Sequence, residues 1–183
     1  MRKDVLKDIL KEDLKIIFVG SAASDMSASE EHYYANPRNC FRKLLHEAGL
    51  TDRQLLPKDD SVLMRYGFGL TDVVKSEHGS DYKLSKESFL EGKKPLKAKI
   101  RKFHPRVVCF TSKSSYRAFL EKAKSYGLQP LVECLSSSVF IVPSPSPQVM
   151  PDKCLNGKTR LQWFKGLAAF VKKPVVRAHF TAI

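Results

Sequence analysis

Apolar and polar positions along the chain fall into two alternating patterns. Ile16, Ile17, Phe18 and Val19 run without a polar break up to Gly20. A short continuous β-rich run of this kind predicts a strand buried on both faces of a parallel sheet. Val107-Val108-Cys109-Phe110 repeats the pattern after Pro105-Arg106. Tyr66 to Val74, reading YGFGLTDVV, predicts a loop entering another strand, and Leu131–Leu135 and Val139–Val142 read as the last strands.

Helical spacing fills the intervals. Phe41, Leu44, Leu45 and Ala48 predict a helix that Gly49 ends, and Ser61–Arg65 a short helical stretch. Ser85-Lys86-Glu87-Ser88 reads as a cap for a helix over Phe89–Phe103. Ser112-Lys113-Ser114-Ser115 opens one over roughly Ser114–Tyr126, ended by Gly127. Leu161, Trp163, Phe164, Leu167 and Phe170 predict a last helix over Thr159–Lys172, stopped by Pro174. Val5, Leu6, Ile9 and Leu10 share a face and predict a short amphipathic helix within residues 1–12. Residues 174–183 form a tail with no assigned element. The alternation predicts an α/β fold: a single three-layer α/β/α domain over residues 1–183 with a mainly parallel central sheet, the N-terminal helix and the tail being peripheral.

Two polar segments interrupt this frame. The first, Ser21–Asn39, leaves the first strand and carries Asp25, His32, Tyr33, Tyr34, Asn36 and Asn39. In open α/β sheets ligands bind outside the carboxyl ends of the strands, so chemistry is expected here. The second, VPSPSPQVMP from Val142 to Pro151, suits neither a helix nor a central strand. Lys113, at the start of its helix, reads as an ordinary N-terminal residue or as a phosphate seat.

Charge narrows the partners. Lys and Arg number 32 against 19 Asp and Glu, a formal net charge of +13. A nucleic acid is the expected polyanion, with a merely solvated basic surface or an anionic membrane surface as alternatives. Lys93, Lys94, Lys97, Lys99, Arg101 and Lys102 on the Phe89–Phe103 helix read as a solvated face or as a phosphate track. No apolar run approaches the roughly 20 residues of a membrane span, and the N-terminus is too charged for a signal peptide. A cytoplasmic chain without membrane partners is expected. The four cysteines, Cys40, Cys109, Cys134 and Cys154, are far apart, and the five histidines lack ligand spacing. Reduced thiols, no metal and no cofactor are expected. Phosphate-loop, dinucleotide-binding, zincin and nucleophile-elbow motifs are all absent from the sequence.

The segments IIFVGSAAS, HYYANPRNCFRKLLHEAGLT, YGFGLTDVV, VVCFTSKSSY and VPSPSP, in that order over residues 14–172, resemble the uracil-DNA glycosylase superfamily. The nearest branch is the mismatch-specific uracil/thymine glycosylases, with features of the hypoxanthine-DNA glycosylases. The mismatch-specific branch ends its first strand in Gly-Ile-Asn-Pro-Gly, whose Asn positions the attacking water. Here the matching stretch is Gly20-Ser21-Ala22-Ala23-Ser24, and Ala22 stands where that Asn would be. The family's second motif, Asn-Pro-Ser, is matched by Ser144-Pro145-Ser146.

The resemblance implies a monomeric enzyme that flips a deaminated base, uracil or alternatively hypoxanthine, out of DNA and hydrolyses its glycosidic bond without strand cleavage. A non-catalytic damaged-DNA-binding relative is the reading that Ala22 favours. Tyr34 matches the aromatic that stacks on the flipped base, with a core role as the alternative. The backbone of Ser21, Ala22 and Ala23 would face the base anion, and Ser144 a phosphate or the base edge. Asn39, Asp25 and Ser24 are the candidates for steering water. Asn39 matches a catalytic position of the hypoxanthine branch and reads equally as a helix cap; Asp25 reads as a loop cap or, secondarily, as a base near the sugar. Ser146, Pro147, Gln148, Val149 and Met150 would supply the wedge and backbone contacts, with Lys113 beside them.

Overall fold

The computed structural model describes residues 3–80, 83–120, 125–130, 135–148 and 155–173. Five strands form one sheet: β1 (Ile16–Gly20), β2 (Phe68–Asp72), β3 (Val107–Phe110), β4 (Gly127–Leu128) and β5 (Ser138–Ile141), in the order β2-β1-β3-β5-β4. β1 pairs in parallel with both β2 and β3, β3 in parallel with β5, and only the two-residue β4 runs antiparallel. The continuous apolar runs are explained by this position, since strands covered on both faces need no polar side.

Alternate residues divide between two cores. Ile16, Phe18, Phe68, Leu70, Val107, Cys109 and Phe140 pack with α2 (Phe41–Glu47) and α5 (Arg160–Lys172). Ile17, Val19, Val108, Phe110, Val139 and Ile141 pack with α3 (Lys86–Phe103) and α4 (Lys113–Leu120). Helices on both faces of the sheet give the three layers expected. Phe18 anchors the first core edge-on against Phe41 and Phe68, with centroids 5.1 and 5.8 Å apart.

The caps follow the sequence closely. Ser85 accepts from the Ser88 N–H, and Thr159 forms a capping box with Gln162. Other elements differ from expectation. Residues 3–12 form no helix; Ile9 instead exchanges backbone hydrogen bonds with Leu70 at 2.9 and 3.0 Å, and the Val5 N–H donates to Lys75 O. A helix α1 (Asp25–Glu30) stands inside the expected Ser21–Asn39 loop, capped by Ser24. The Ser61–Arg65 stretch lies in a longer run of 3-10 turns, Pro57–Tyr66, kinked at Asp59. Gly127 starts β4 as well as following α4. Residues 131–134 of one expected strand, and the tail 174–183, lie outside the described residues. No described helix is long and apolar enough to cross a membrane.

Register places the carboxyl ends of the central strands side by side: Gly20 is opposite Asp72, and Val19 opposite both Thr71 and Phe110. The polar residues Ser21, Asp72 and Thr111 therefore emerge along one rim, and β5 leads to Ser144 on the same side.

Candidate active site

A cavity of about 670 Å³ opens on this rim, within the ~300–1,000 Å³ range of small-molecule sites. Its wall brings together Ser21, Ala22, Ala23, Ser24, Tyr34, Asn39, Lys113, Ser144, Ser146, Pro147 and Gln148. These residues, distant in sequence, meet because their loops leave strands or enter helices at one edge of the sheet. Asp25 is not on the wall. Its side chain is 69% exposed and its Oδ1 lies 2.8 Å from His78 Nδ1, in an exposed pair. Val149 and Met150 lie outside the described residues.

Tyr34 is held with some force. Its φ of 52° is left-handed, a conformation that costs a non-glycine residue about 1–2 kcal/mol. Bonds to the flanking residues hold it there. The Tyr33 N–H donates to Asp60 Oδ2 at 2.9 Å, and the Ala35 N–H to Ser27 Oγ at 3.2 Å. The ring stacks on Phe41 at 4.0 Å and 22°, and its hydroxyl lies 3.2 Å from Thr111 Oγ1. Tyr34 is half-buried and forms part of the cavity wall, so one ring does both jobs: it packs on the core and borders the cavity. Burial, then the nearby Asp72 charge, raise the phenol pKa values of Tyr33 and Tyr34 far above 10, so both act as neutral hydroxyls. Lys75, paired with Asp8 at 2.9 Å, donates to Tyr33 Oη at 2.9 Å.

Asn39 is placed by a turn. Asn36 O accepts from the Asn39 N–H at 2.8 Å, with Pro37 at the second turn position, and Asn36 Oδ1 accepts from the Arg38 N–H at 2.9 Å. Asn39 Oδ1 in turn accepts from the Phe41 N–H at 2.9 Å, satisfying a donor of the first turn of α2. Asn39 therefore serves the helix start and borders the cavity together. Ser24 caps α1 by accepting from the Ser27 N–H at 3.1 Å. Lys113 extends over the Tyr126 ring, 4.5 Å from its centroid. Ser144 Oγ accepts from the Ser146 N–H at 3.2 Å within its own loop.

Asp72, like Thr111, is a wall residue that the sequence reading passed over. It ends β2, is 5% exposed, and its carboxylate fills the space a side chain at Gly20 would need. The signal was available: Asp72 is the polar residue at the carboxyl end of an apolar strand, the counterpart of Ser21 after β1 and Thr111 after β3. Among the described residues no group of His, Cys, Asp and Glu is arranged to hold a metal ion.

A sequence model of the uracil DNA glycosylase superfamily matches residues 7–168 of the chain. The chain belongs to the uracil DNA glycosylase superfamily. The match takes in every strand and all of the cavity wall but Leu6. A solution NMR structure from Methanosarcina acetivorans, of a protein assigned provisionally as a uracil DNA glycosylase, has the same fold. It is 24% identical, with a TM-score of 0.61 over 94% of this chain and 99% of that one. In this superfamily member the polar rim of the sheet carries Ala22 and Asp72 together, a small apolar residue and a buried carboxylate on one wall.

Proposed function

We propose that this protein is a monofunctional DNA glycosylase that takes a deaminated base, uracil first, out of the duplex and hydrolyses its N-glycosidic bond in base excision repair. The observation that carries the reading is the cavity at the strand ends, bordered by an aromatic ring, a buried carboxylate, an amide and the Ser21–Ala23 residues. A free base needs an aromatic platform and polar groups at its edge. Tyr34 is the platform, and stacking of this kind is worth about 1–3 kcal/mol.

Hydrolysis joins water to the sugar C1′ as the bond to the base nitrogen breaks. The electron pair leaves with the base, and the water's proton goes to a nearby acceptor. Ala22 has no group to hold that water. Asn39 orients it through its carboxamide, and the Asp72 carboxylate accepts the proton and faces the positive charge on the sugar. Backbone N–H groups of Ser21–Ala23 stabilise the departing anion. Asp25, paired with His78 outside the wall, is a rim residue in this scheme. Gln148 and its loop take the space vacated in the duplex, where filling the gap offsets part of the lost stacking.

The test is incubation with duplexes carrying uracil, hypoxanthine or mispaired thymine, followed by alkali to cleave abasic sites. Strand breaks only after alkali, with Asp72→Asn and Asn39→Ala slowed about 100-fold or more and Asp25→Ala within about threefold, support the scheme. Ala22 and Asn39 together favour hypoxanthine as the second substrate, which faster release from inosine would establish. Tight binding of damaged duplex with no turnover of any base would instead make the protein a recognition module.

A further inference from the structure

We infer that Arg160 is a positioning residue that fastens the Pro143–Gln148 loop to the turn carrying Asn39, and so sets how that loop enters duplex DNA. The inference rests on the glycosylase reading above. Arg160 is the first residue of α5 and is only 7% exposed. A cation at a helix N-terminus opposes the helix dipole, and burying it adds a desolvation cost. Neither favours α5, so the guanidinium's value lies in what it reaches.

Among the described residues it reaches two loops. Nη2 donates to Ser146 O at 3.4 Å and Nη1 to Cys40 Sγ at 3.5 Å. Cys40 completes the tie, since its thiol and its N–H both point to Pro145 O, at 3.3 and 3.1 Å. The chain of donors runs from guanidinium to thiol to carbonyl. It joins the residue after Asn39 to the middle of the second loop.

The loop's own sequence makes such a tie necessary. Pro143, Pro145 and Pro147 have no N–H, so a ladder cannot hold it. Its internal bonds are short-range, from the Ser146 N–H to Ser144 Oγ and from the Gln148 N–H to Ser146 Oγ. These shape the loop without fixing it to the rest of the molecule. α5 is a firm base for the anchor, because Phe164, Leu167 and Ala168 are buried in the core.

Arg160→Met and Arg160→Lys are compared with wild type on the target base paired in a duplex and on the same base held unpaired in a bubble. Iodoacetamide labelling of Cys40 in the folded protein, followed by mass spectrometry, reads the tie without reference to activity. Losing charged hydrogen bonds at the loop predicts a roughly tenfold fall in kcat/KM on the paired target for Arg160→Met. The fall on the bubble is under about twofold, because flipping is already done. Arg160→Lys, with its charge kept, falls between, and Cys40 labels faster in Arg160→Met than in wild type. Should Arg160→Met fail to fold, Cys40→Ala carries the activity comparison, with a loss of about threefold confined to the paired target. Equal losses on both substrates, or unchanged Cys40 labelling, would overturn the inference. If wild type turns over neither substrate, the glycosylase reading fails and the labelling rates alone decide whether the tie exists.

Discussion

The carboxylate of Asp72 occupies the position from which a side chain at Gly20 would grow. The two residues face each other across the parallel β1–β2 pair, so the absence of a side chain at one gives the other its place. Gly20→Ala must then move Asp72. The expected result is a fall in turnover of about 100-fold, close to that of Asp72→Asn. In an Asp72→Asn background the same substitution should add little, because two changes acting through one group are not additive. A double-mutant cycle on single-turnover rates checks this.

Tyr34 separates packing from hydrogen bonding. Tyr34→Phe removes the contact with Thr111 but keeps the ring on Phe41, and turnover should stay within about threefold of wild type. Tyr34→Ala loses the platform. At about 1–3 kcal/mol for a stacked base, kcat/KM should fall roughly 5- to 150-fold. Wild-type kinetics in the alanine variant would leave the base without its proposed seat.

Asp60 holds the same tyrosine turn from below. It is buried against the Arg42 guanidinium, accepts from the Tyr33 N–H, and lies 3.4 Å from His32. Asp60→Ala strands a buried cation and should cost about 3–5 kcal/mol. Urea unfolding measures it. Arg42→Met in the same chain should recover part of the loss, though not the share due to the Tyr33 N–H.

Asp8 gives a pH signature. Burial alone would raise its pKa, but the charge on Lys75 and hydrogen bonds from Lys99, Lys75 and Thr71 outweigh it and leave the value below the usual 3.8. A carboxyl depressed on folding stabilises at pH values above its unfolded pKa, and the contribution fades as pH falls through the folded value. Asp8→Asn should therefore melt about 2–4 °C below wild type at pH 7, for a loss of about 1 kcal/mol. The gap should narrow as the pH drops from 4 towards 3. A gap that stays constant across that range would remove Asp8 as the titrating group.

The buried strands were legible because a run such as Ile16–Val19 has one environment that suits it. The helices α2, α3 and α5 were legible from their spacing and, for α3, from a cap written into the chain. Two elements were misread for physical reasons. Val5, Leu6, Ile9 and Leu10 fit a helical face, but a helix of a dozen residues is marginal alone, and the free side of β2 and the Lys75 carbonyl beyond it offer the backbone of Ile9 and Val5 fixed partners. α1 was hidden because Ser24 and Asp25, good residues for a helix start, sat within a segment read whole as a loop. For the site, the Tyr34 and Asn39 loop and the serine–proline segment announced themselves by composition, and the structure brings them to one wall. Asp72 was marked in the sequence only by its place at the end of an apolar strand, and parallel register is what sets it beside Gly20.

The bridge between Ile9 and Leu70 of β2 has a consequence beyond the shape of the site. β2 is the outermost strand of the sheet on that side, and an outermost strand with open main-chain groups invites another polypeptide to add itself there. Ile9 takes both outward main-chain groups of Leu70 in the middle of that strand, and Val5 takes the Lys75 carbonyl just beyond its end. The segment around Ile9 thereby blocks the centre of that edge to a further strand, which a detached N-terminal helix would leave open.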